Sequence, residues 1–169
     1  GSNTATFTVV LDSEPSSGSV VIDVTSGTTG QATVSPSSLT FTAGNWDSTQ
    51  TVTVTGVDND VDGSNAGSTV TLAVNDGSTA DGNYDNLSNQ TVAAALTDND
   101  TAGFTVTESS GSTSVNESGT TDTFTVVLNT QPSGNVVISV SSGDTGEATV
   151  SASSLTFTTG NWNSAQTVT

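Results

Sequence analysis

One long stretch of this chain occurs twice, and the repeat limits the possible folds more than any other feature. Residues 4–53 return with few changes as residues 121–169, and Phe7 corresponds to Phe124, 117 positions later. Solenoid repeats are about 20–50 residues long, so this period is too long for a solenoid coil. It fits one sandwich domain per repeat, and the sequence therefore predicts tandem repeats of about 117 residues.

The repeat divides the chain into one long copy and one short copy. We assign residues 1–100 to a first repeat, which lacks a counterpart of residues 102–119 at its start. We assign residues 101–169 to the beginning of a second repeat, which stops at the counterpart of Thr53. Strands in both copies are then expected to lack neighbours. Polymerisation by strand addition between chains, giving filaments, is therefore one hypothesis.

Apolar and polar residues alternate in short segments along each copy. Residues 5–11 place Ala, Phe, Val and Leu on one face, and residues 20–24 and 70–74 show the same period of two. Turns rich in Gly, Ser and Asn separate such segments at about ten-residue intervals. No window has the apolar spacing of an amphipathic helix. The pattern predicts an all-β protein with an antiparallel β-sandwich fold.

The charge of the chain is entirely negative. It contains 17 Asp and Glu residues and no Lys, Arg, His, Cys or Met. Nothing can neutralise phosphate, so nucleic acid and anionic membrane surfaces are not expected partners, and no apolar run suggests direct membrane insertion. Ser-His and Cys-His catalytic sites cannot be built. We predict that the chain is not an enzyme, with a carboxylate-pair glycosidase as the one common enzyme type that composition leaves open.

The acidic residues gather at two places that follow strands. Residues 58–63 have the form D-x-D-x-D-G, and the segment around Asp98 and Asp100 ends the first repeat. Alternate strands of a sandwich end at the same pole, so both clusters can share one pole. Converging oxygen ligands favour calcium, although the twelfth position, Thr69, excludes an EF-hand. The competing interpretation is an ordinary solvated turn, since Asp, Asn and Gly are common turn residues.

The segments GEATVSASSLTFTTGNWNSAQTVT, TVTVTGVDNDVDG, DGNYDNL and ALTDND resemble the bacterial Calx-beta repeat. That family consists of immunoglobulin-like sandwiches found in sodium–calcium exchangers and large bacterial surface proteins. The resemblance covers nearly the whole chain. It implies an immunoglobulin-like antiparallel β-sandwich in each repeat.

The resemblance also implies a calcium-binding set of acidic residues. Two positions of the expected set depart from it in the first repeat, where Thr28 is the counterpart of Asp144 and Gln31 is the counterpart of Glu147. Neither repeat holds the full set. The residues implied as metal ligands are Asp58, Asp60, Asp62, Asp98, Asp100, Glu117 and Asp144.

Together these features predict a structural spacer from an extracellular, bacterial surface protein, such as an adhesin stalk, sheath or filament, stiffened by calcium. Its expected partners are neighbouring repeats of the same chain. A ligand- or glycan-binding module is the alternative, because Trp46, Trp162 and Tyr84 are aromatic residues that can stack on sugars. The recurring GNW turn favours core-packed tryptophans over exposed sugar platforms.

Overall fold

A computed structural model describes residues 3–63, 67–85 and 87–169. Over these residues the protein contains twelve β-strands, one three-residue 3-10 turn and no α-helix. All strand pairs are antiparallel. The predicted all-β, antiparallel class is therefore confirmed.

The described residues divide into two compact units. Unit 1 contains residues 3–58 and 67–97, and unit 2 contains residues 59–63 and 98–169. The main boundary at residues 97 and 98 lies close to the repeat boundary in the sequence. The acidic loop of residues 59–63 connects two strands of unit 1 in the chain, yet it belongs to unit 2.

Unit 1 has two antiparallel sheets. One sheet has three strands in the order β1-β5-β3, and the other has four strands in the order β4-β2-β6-β7. Each strand follows an apolar–polar alternation with the apolar side chains facing the opposite sheet. The strands are β1 (Thr4–Val9), β2 (Ser19–Ser26), β3 (Ala32–Ser35), β4 (Ser38–Thr42), β5 (Gln50–Gly56), β6 (Ser68–Val74) and β7 (Gln90–Ala94).

The core of unit 1 lies between these two sheets. Phe41 and Val20 are fully buried in the four-stranded sheet, and Val52 is fully buried in the three-stranded sheet. Burying a side chain of this kind contributes about 1.5–3 kcal/mol relative to leaving it exposed. Trp46 and Tyr84 pack against the same core. Unit 1 is therefore sandwich-like, with both sheets contributing to one hydrophobic cluster.

Unit 2 is smaller and has a three-stranded sheet, β12-β9-β8, and a two-stranded sheet, β10-β11. Its core consists of Val126, Leu128, Leu155, Phe157 and Val168, with Trp162 packed against it. Fewer strands cover this core than cover the core of unit 1. The strands are β8 (Phe104–Glu108), β9 (Phe124–Leu128), β10 (Val136–Ser139), β11 (Ser154–Phe157) and β12 (Gln166–Val168).

Within the described ranges, the chain has no helix long and apolar enough to cross a membrane.

Candidate functional site

The acidic loop after β5 is held by backbone hydrogen bonds. Val57 begins it by donating its N–H to the Gln31 carbonyl at 2.8 Å, within unit 1. The Asn59 side-chain oxygen accepts the N–H of Val61 at 2.8 Å, which is a local turn of the kind that Asn favours. The Asp60 carbonyl accepts the N–H of Gln131 at 2.6 Å, within unit 2. The loop is therefore anchored within unit 2 as well as by its own turn.

Two aspartates bind the loop and the segment before β8 to each other. The Asp62 Oδ2 accepts the backbone N–H of Ala102 at 2.8 Å, and the Asp98 Oδ2 accepts the backbone N–H of Gly63 at 2.8 Å. Each segment thus supplies one carboxylate and one amide to the other. We call these four residues the Asp62–Asp98 tie. Hydrogen bonds that involve an ionised acceptor are shorter and stronger than neutral ones, so this arrangement favours the Asp98 carboxylate in its charged form.

Asp98 makes further hydrogen bonds within its own turn. Its Oδ1 accepts the N–H of Asp100 at 3.1 Å. The backbone N–H of Gly63, and next that of Asp100, lower the pKa of Asp98 below its ordinary value of 3.8. Donors that bind the charged carboxylate stabilise that form relative to the protonated one. Asp98 therefore acts as an ionised acceptor that fixes the end of the first repeat.

The remaining predicted ligands lie in different environments. Asp58 and Asp60 are exposed on the loop, and Asp100 is partly buried. Glu117 is exposed in the connection between β8 and β9. Asp144 is exposed in a turn, where its Oδ1 accepts the N–H of Gly146 at 2.9 Å and its carbonyl accepts the N–H of Ala148 at 3.0 Å. The structure thus brings together Asp62 and Asp98 and gives Asp144 a turn-forming role.

A calcium ion takes six to eight oxygen ligands, and several carboxylates normally supply them. Residues 3–63, 67–85 and 87–169 contain no group of three or more His, Cys, Asp or Glu residues placed to hold a metal ion. Asp62 and Asp98 each direct one oxygen to a backbone amide instead. The described geometry is a hydrogen-bonded tie, and calcium binding stays a prediction.

Asp122 organises a loop that the sequence analysis did not single out. Its carboxylate accepts a short hydrogen bond from the Ser109 hydroxyl, the N–H of Ser114 at 2.8 Å and the N–H of Thr123 at 2.7 Å. These donors, with Ser109 first, lower the pKa of Asp122. The signal in the sequence is a difference between the copies, because Asp122 replaces Ala5 in an otherwise shared segment.

Asp81 is a second carboxylate whose role the spacing did not reveal. It is 1% exposed. Its Oδ2 accepts hydrogen bonds from the backbone N–H and the hydroxyl of Ser16, and its Oδ1 accepts from the backbone N–H and the side-chain amide of Asn83. The Asn83 N–H contributes most to a lowered pKa of Asp81, against the opposing effect of burial. Asp81 joins two turns of unit 1.

The aromatic residues considered as sugar platforms all have structural contacts. Trp46 and Trp162 are partly buried and pack against the cores of unit 1 and unit 2, respectively. Tyr84 packs against the core of unit 1, and its hydroxyl donates to the Ser13 carbonyl at 2.6 Å. These contacts favour the core-packing interpretation of the three residues.

Comparisons with known proteins found no relative of this chain. No protein-family model, curated protein or solved structure matches the chain.

Proposed function

We propose that the chain is a non-enzymatic structural module, a spacer from a repetitive extracellular protein of a bacterial surface. In this proposal each repeat is a Calx-beta-like, immunoglobulin-like sandwich of about 117 residues. The observation that carries the proposal is the Asp62–Asp98 tie. It binds a loop of the first repeat to the segment that leads into the second repeat, and both partners of the tie lie in unit 2.

The path of the chain explains how the tie can act as a mechanical restraint. The segment of residues 59–63 leaves unit 1 after β5 and groups with unit 2, and the chain then returns to form β6. Residues 98–103 follow the end of unit 1 and lead into β8. A spacer must keep consecutive repeats from separating freely. A loop that is fastened to the linking segment, in addition to the covalent connection, supplies such a restraint.

Composition supports an exposed setting. The chain has a formal charge of −17 and no basic side chain. High net charge of one sign keeps proteins soluble and discourages non-specific association. Trypsin cleaves after Lys and Arg, so the chain offers it no site. Both properties suit a polymer outside the cell.

Calcium enters this proposal as a second source of stiffness. The hydrogen-bonded tie uses Asp62 and Asp98, while Asp58 and Asp60 are exposed carboxylates on the same loop. Oxygen-rich loops of extracellular modules bind calcium with dissociation constants of about 10⁻⁴–10⁻³ M. The tie itself needs no ion.

The spacer proposal is tested on the tie. We expect the amide protons of Gly63 and Ala102 to exchange slowly with solvent in the unaltered chain, also in excess EDTA. The double variant Asp62→Ala/Asp98→Ala should exchange them rapidly and give a broader distribution of dimensions in small-angle X-ray scattering. Asp76→Ala is the matched control, because Asp76 is an exposed aspartate of the β6–β7 connection. Identical scattering from the double variant and the control would show that the tie does not restrain the chain.

A further inference from the structure

Three aspartates of this chain are followed directly by a glycine. The pairs are Asp62–Gly63, Asp76–Gly77 and Asp81–Gly82. An aspartate in this position is prone to a spontaneous rearrangement, because glycine has no side chain to shield its backbone nitrogen. The first two pairs continue with serine, so both have the sequence Asp-Gly-Ser. A difference in reactivity between Asp62 and Asp76 therefore comes mainly from the fold.

The rearrangement passes through a five-membered cyclic imide. The glycine nitrogen attacks the carboxyl carbon of the aspartate side chain and forms a C–N bond. The carboxyl C–OH bond breaks, and the hydroxyl leaves with the N–H proton as water. A second water then opens the ring. Where it adds to the former backbone carbonyl, the chain stays linked through the side-chain carboxyl carbon, as isoaspartate. Water is lost and regained, so no other reactant is needed.

Ring closure makes two demands on the folded structure. The glycine nitrogen has to be able to approach the carboxyl carbon, and the carboxyl group has to be able to turn toward that nitrogen. A hydrogen bond from the glycine N–H to another acceptor opposes the first movement. A hydrogen bond to the carboxylate from a distant donor opposes the second. Where both are present, the local structure has to open before the ring can form.

The Asp62–Gly63 pair is held on both sides of the reaction. The Gly63 N–H is donated to the Asp98 Oδ2 at 2.8 Å, and the Asp62 Oδ2 accepts the Ala102 N–H at 2.8 Å. Both hydrogen bonds belong to the Asp62–Asp98 tie. Ring closure at Asp62 therefore requires the tie to open.

The Asp81–Gly82 pair is held by its carboxylate. Asp81 is 1% exposed and accepts two hydrogen bonds from Ser16 and two from Asn83. The backbone N–H of Asn83 is the main cause of a lowered pKa of Asp81. Little of the protonated carboxyl, from which the hydroxyl departs, is then present at neutral pH. The Asp81 side chain is thus both fixed and ionised.

The Asp76–Gly77 pair lies at the tip of a turn that follows β6. Both residues are exposed. The Asn75 carbonyl accepts the N–H of Ser78 at 3.0 Å and that of Thr79 at 2.8 Å, and the Asn75 Oδ1 accepts the Ser78 N–H at 3.1 Å. These hydrogen bonds join the residues on either side of the pair. Exposed tips of small and polar residues are the parts of a fold most open to chemical attack.

We propose that Asp76 is a site of spontaneous isoaspartate formation in the folded protein, and that the Asp62–Asp98 tie protects Asp62 from the same reaction. The modified form carries one additional carbon in the backbone at residue 76, and its free carboxylate stands on the α carbon. The proposal does not depend on the spacer function, because it concerns the reactivity of the folded chain itself.

The surroundings of Asp76 can absorb this change. Asn75 donates its N–H to the Val21 carbonyl at 2.9 Å, and Ala80 donates its N–H to the Ser19 carbonyl at 2.8 Å. Both ends of the turn are thereby fastened to β2, and the additional carbon lies between them. At Asp62 the same change would displace a carboxylate and an amide that form the tie. The protection therefore preserves the tie in a protein that has to last.

Incubation of the folded chain in water labelled with oxygen-18 tests the proposal. Each passage through the ring adds one labelled oxygen to the residue, whichever way the ring opens. Chymotrypsin, which cleaves after large apolar and aromatic residues, then releases peptides for mass spectrometry, and fragmentation separates Asp76 from Asp81. We expect label at Asp76 and none above the starting level at Asp62 and Asp81. The same chain in urea should label all three residues.

Two results on the unaltered chain would overturn the proposal. One is equal labelling of Asp62 and Asp76 in the folded protein. The other is a folded protein that leaves Asp76 unlabelled while urea labels it, because the turn would then protect Asp76 as well.

The protective role of the tie is tested with Asp98→Ala, which removes the acceptor of the Gly63 N–H. Asp62 should then become labelled to an extent approaching that of Asp76. Asp60→Ala is the matched control, because it removes an exposed carboxylate of the same loop and keeps the backbone carbonyl that accepts the Gln131 N–H. Trp162 fluorescence reports whether unit 2 stays folded in each variant. An Asp62 that stays unlabelled in Asp98→Ala contradicts protection by the tie.

Discussion

Asp98 and Gly63 are 35 residues apart in sequence, yet the Asp98 Oδ2 accepts the backbone N–H of Gly63 at 2.8 Å. This hydrogen bond requires the carboxylate and lowers the pKa of Asp98 below 3.8. A lowered pKa in the folded state means that its stabilising effect is complete above the ordinary value. It is lost only as the pH falls through the lower, folded-state pKa.

We therefore expect a local response of the tie to acid. At a pH below 3.8 the amide resonance of Gly63 in NMR spectra should shift, and its protection from hydrogen exchange should fall. The chemical shift of the Asp98 carboxyl carbon should change over the same pH range. Asp98→Asn should abolish the titration of Gly63 and leave that of the Ser114 amide, which reports on Asp122, unchanged. If the Gly63 amide resonance still shifts with pH in Asp98→Asn, the Asp98 carboxylate is not the cause of that shift.

The proposed calcium binding can be tested separately from the tie, because Asp58 and Asp60 are exposed and take no part in it. We expect millimolar calcium to raise the free energy of unfolding by on the order of 1 kcal/mol per site relative to excess EDTA. The variant Asp58→Asn/Asp60→Asn should lose this increase while keeping slow exchange at Gly63 and Ala102. Melting curves with calcium and with EDTA provide the measurement. If calcium does not change the melting temperature of the unaltered chain, calcium does not stiffen it, and the hydrogen bonds of the tie remain as the source of stiffness.

Asp81 should be sensitive even to an isosteric change. The Asp81 carboxylate is the acceptor in four hydrogen bonds, two donated by Ser16 and two donated by Asn83. Asp81→Asn replaces one acceptor oxygen by an amide group that is itself a donor, so buried donors would face each other. We expect a clearly lower melting temperature, whereas Asp76→Asn, on the same β6–β7 connection, should change it little. Equal melting temperatures for the two variants would exclude a structural role for the Asp81 carboxylate.

The strands themselves were predictable where the apolar alternation is long, but four identical residues show the limit of local sequence. The sequence ATVS forms strand β3 at Ala32–Ser35, whereas Ala148–Ser151 does not form a strand. Strand β3 pairs with Thr53–Gly56 of β5. In the second copy the sequence ends at Thr169, the counterpart of Thr53, and a single backbone bond links Ser151 to Thr169 at 2.8 Å. The partner strand, rather than the segment, decides the outcome.

The candidate site was predictable to a similar degree. Strand-end alternation placed the loop of residues 58–63 near the segment of Asp98, and the structure brings these two segments together. Spacing alone could not show that backbone amides would be the partners of the carboxylates, since the direction of an N–H depends on the local turn. The same reason hid the roles of Asp81 and Asp122, each of which collects donors from a neighbouring turn.

The two cores permit a comparison at equivalent positions. Phe41 of unit 1 and Phe157 of unit 2 are both fully buried and occupy the same place in the repeated sequence. Truncating a fully buried Phe to Ala costs about 3–5 kcal/mol in a well-packed core. Unit 1 surrounds Phe41 with strands of a four-stranded and a three-stranded sheet, while unit 2 has fewer strands around Phe157.

We therefore expect Phe41→Ala to lower the free energy of unfolding of unit 1 by about 3–5 kcal/mol and Phe157→Ala to lower that of unit 2 by about 2–3 kcal/mol, because a smaller core relaxes more around the lost ring. Urea denaturation followed by tryptophan fluorescence measures each unit separately. Trp46 reports on unit 1 in a Trp162→Phe background, and Trp162 reports on unit 2 in a Trp46→Phe background. If either substitution shifts both signals equally, the two cores unfold as one cooperative structure.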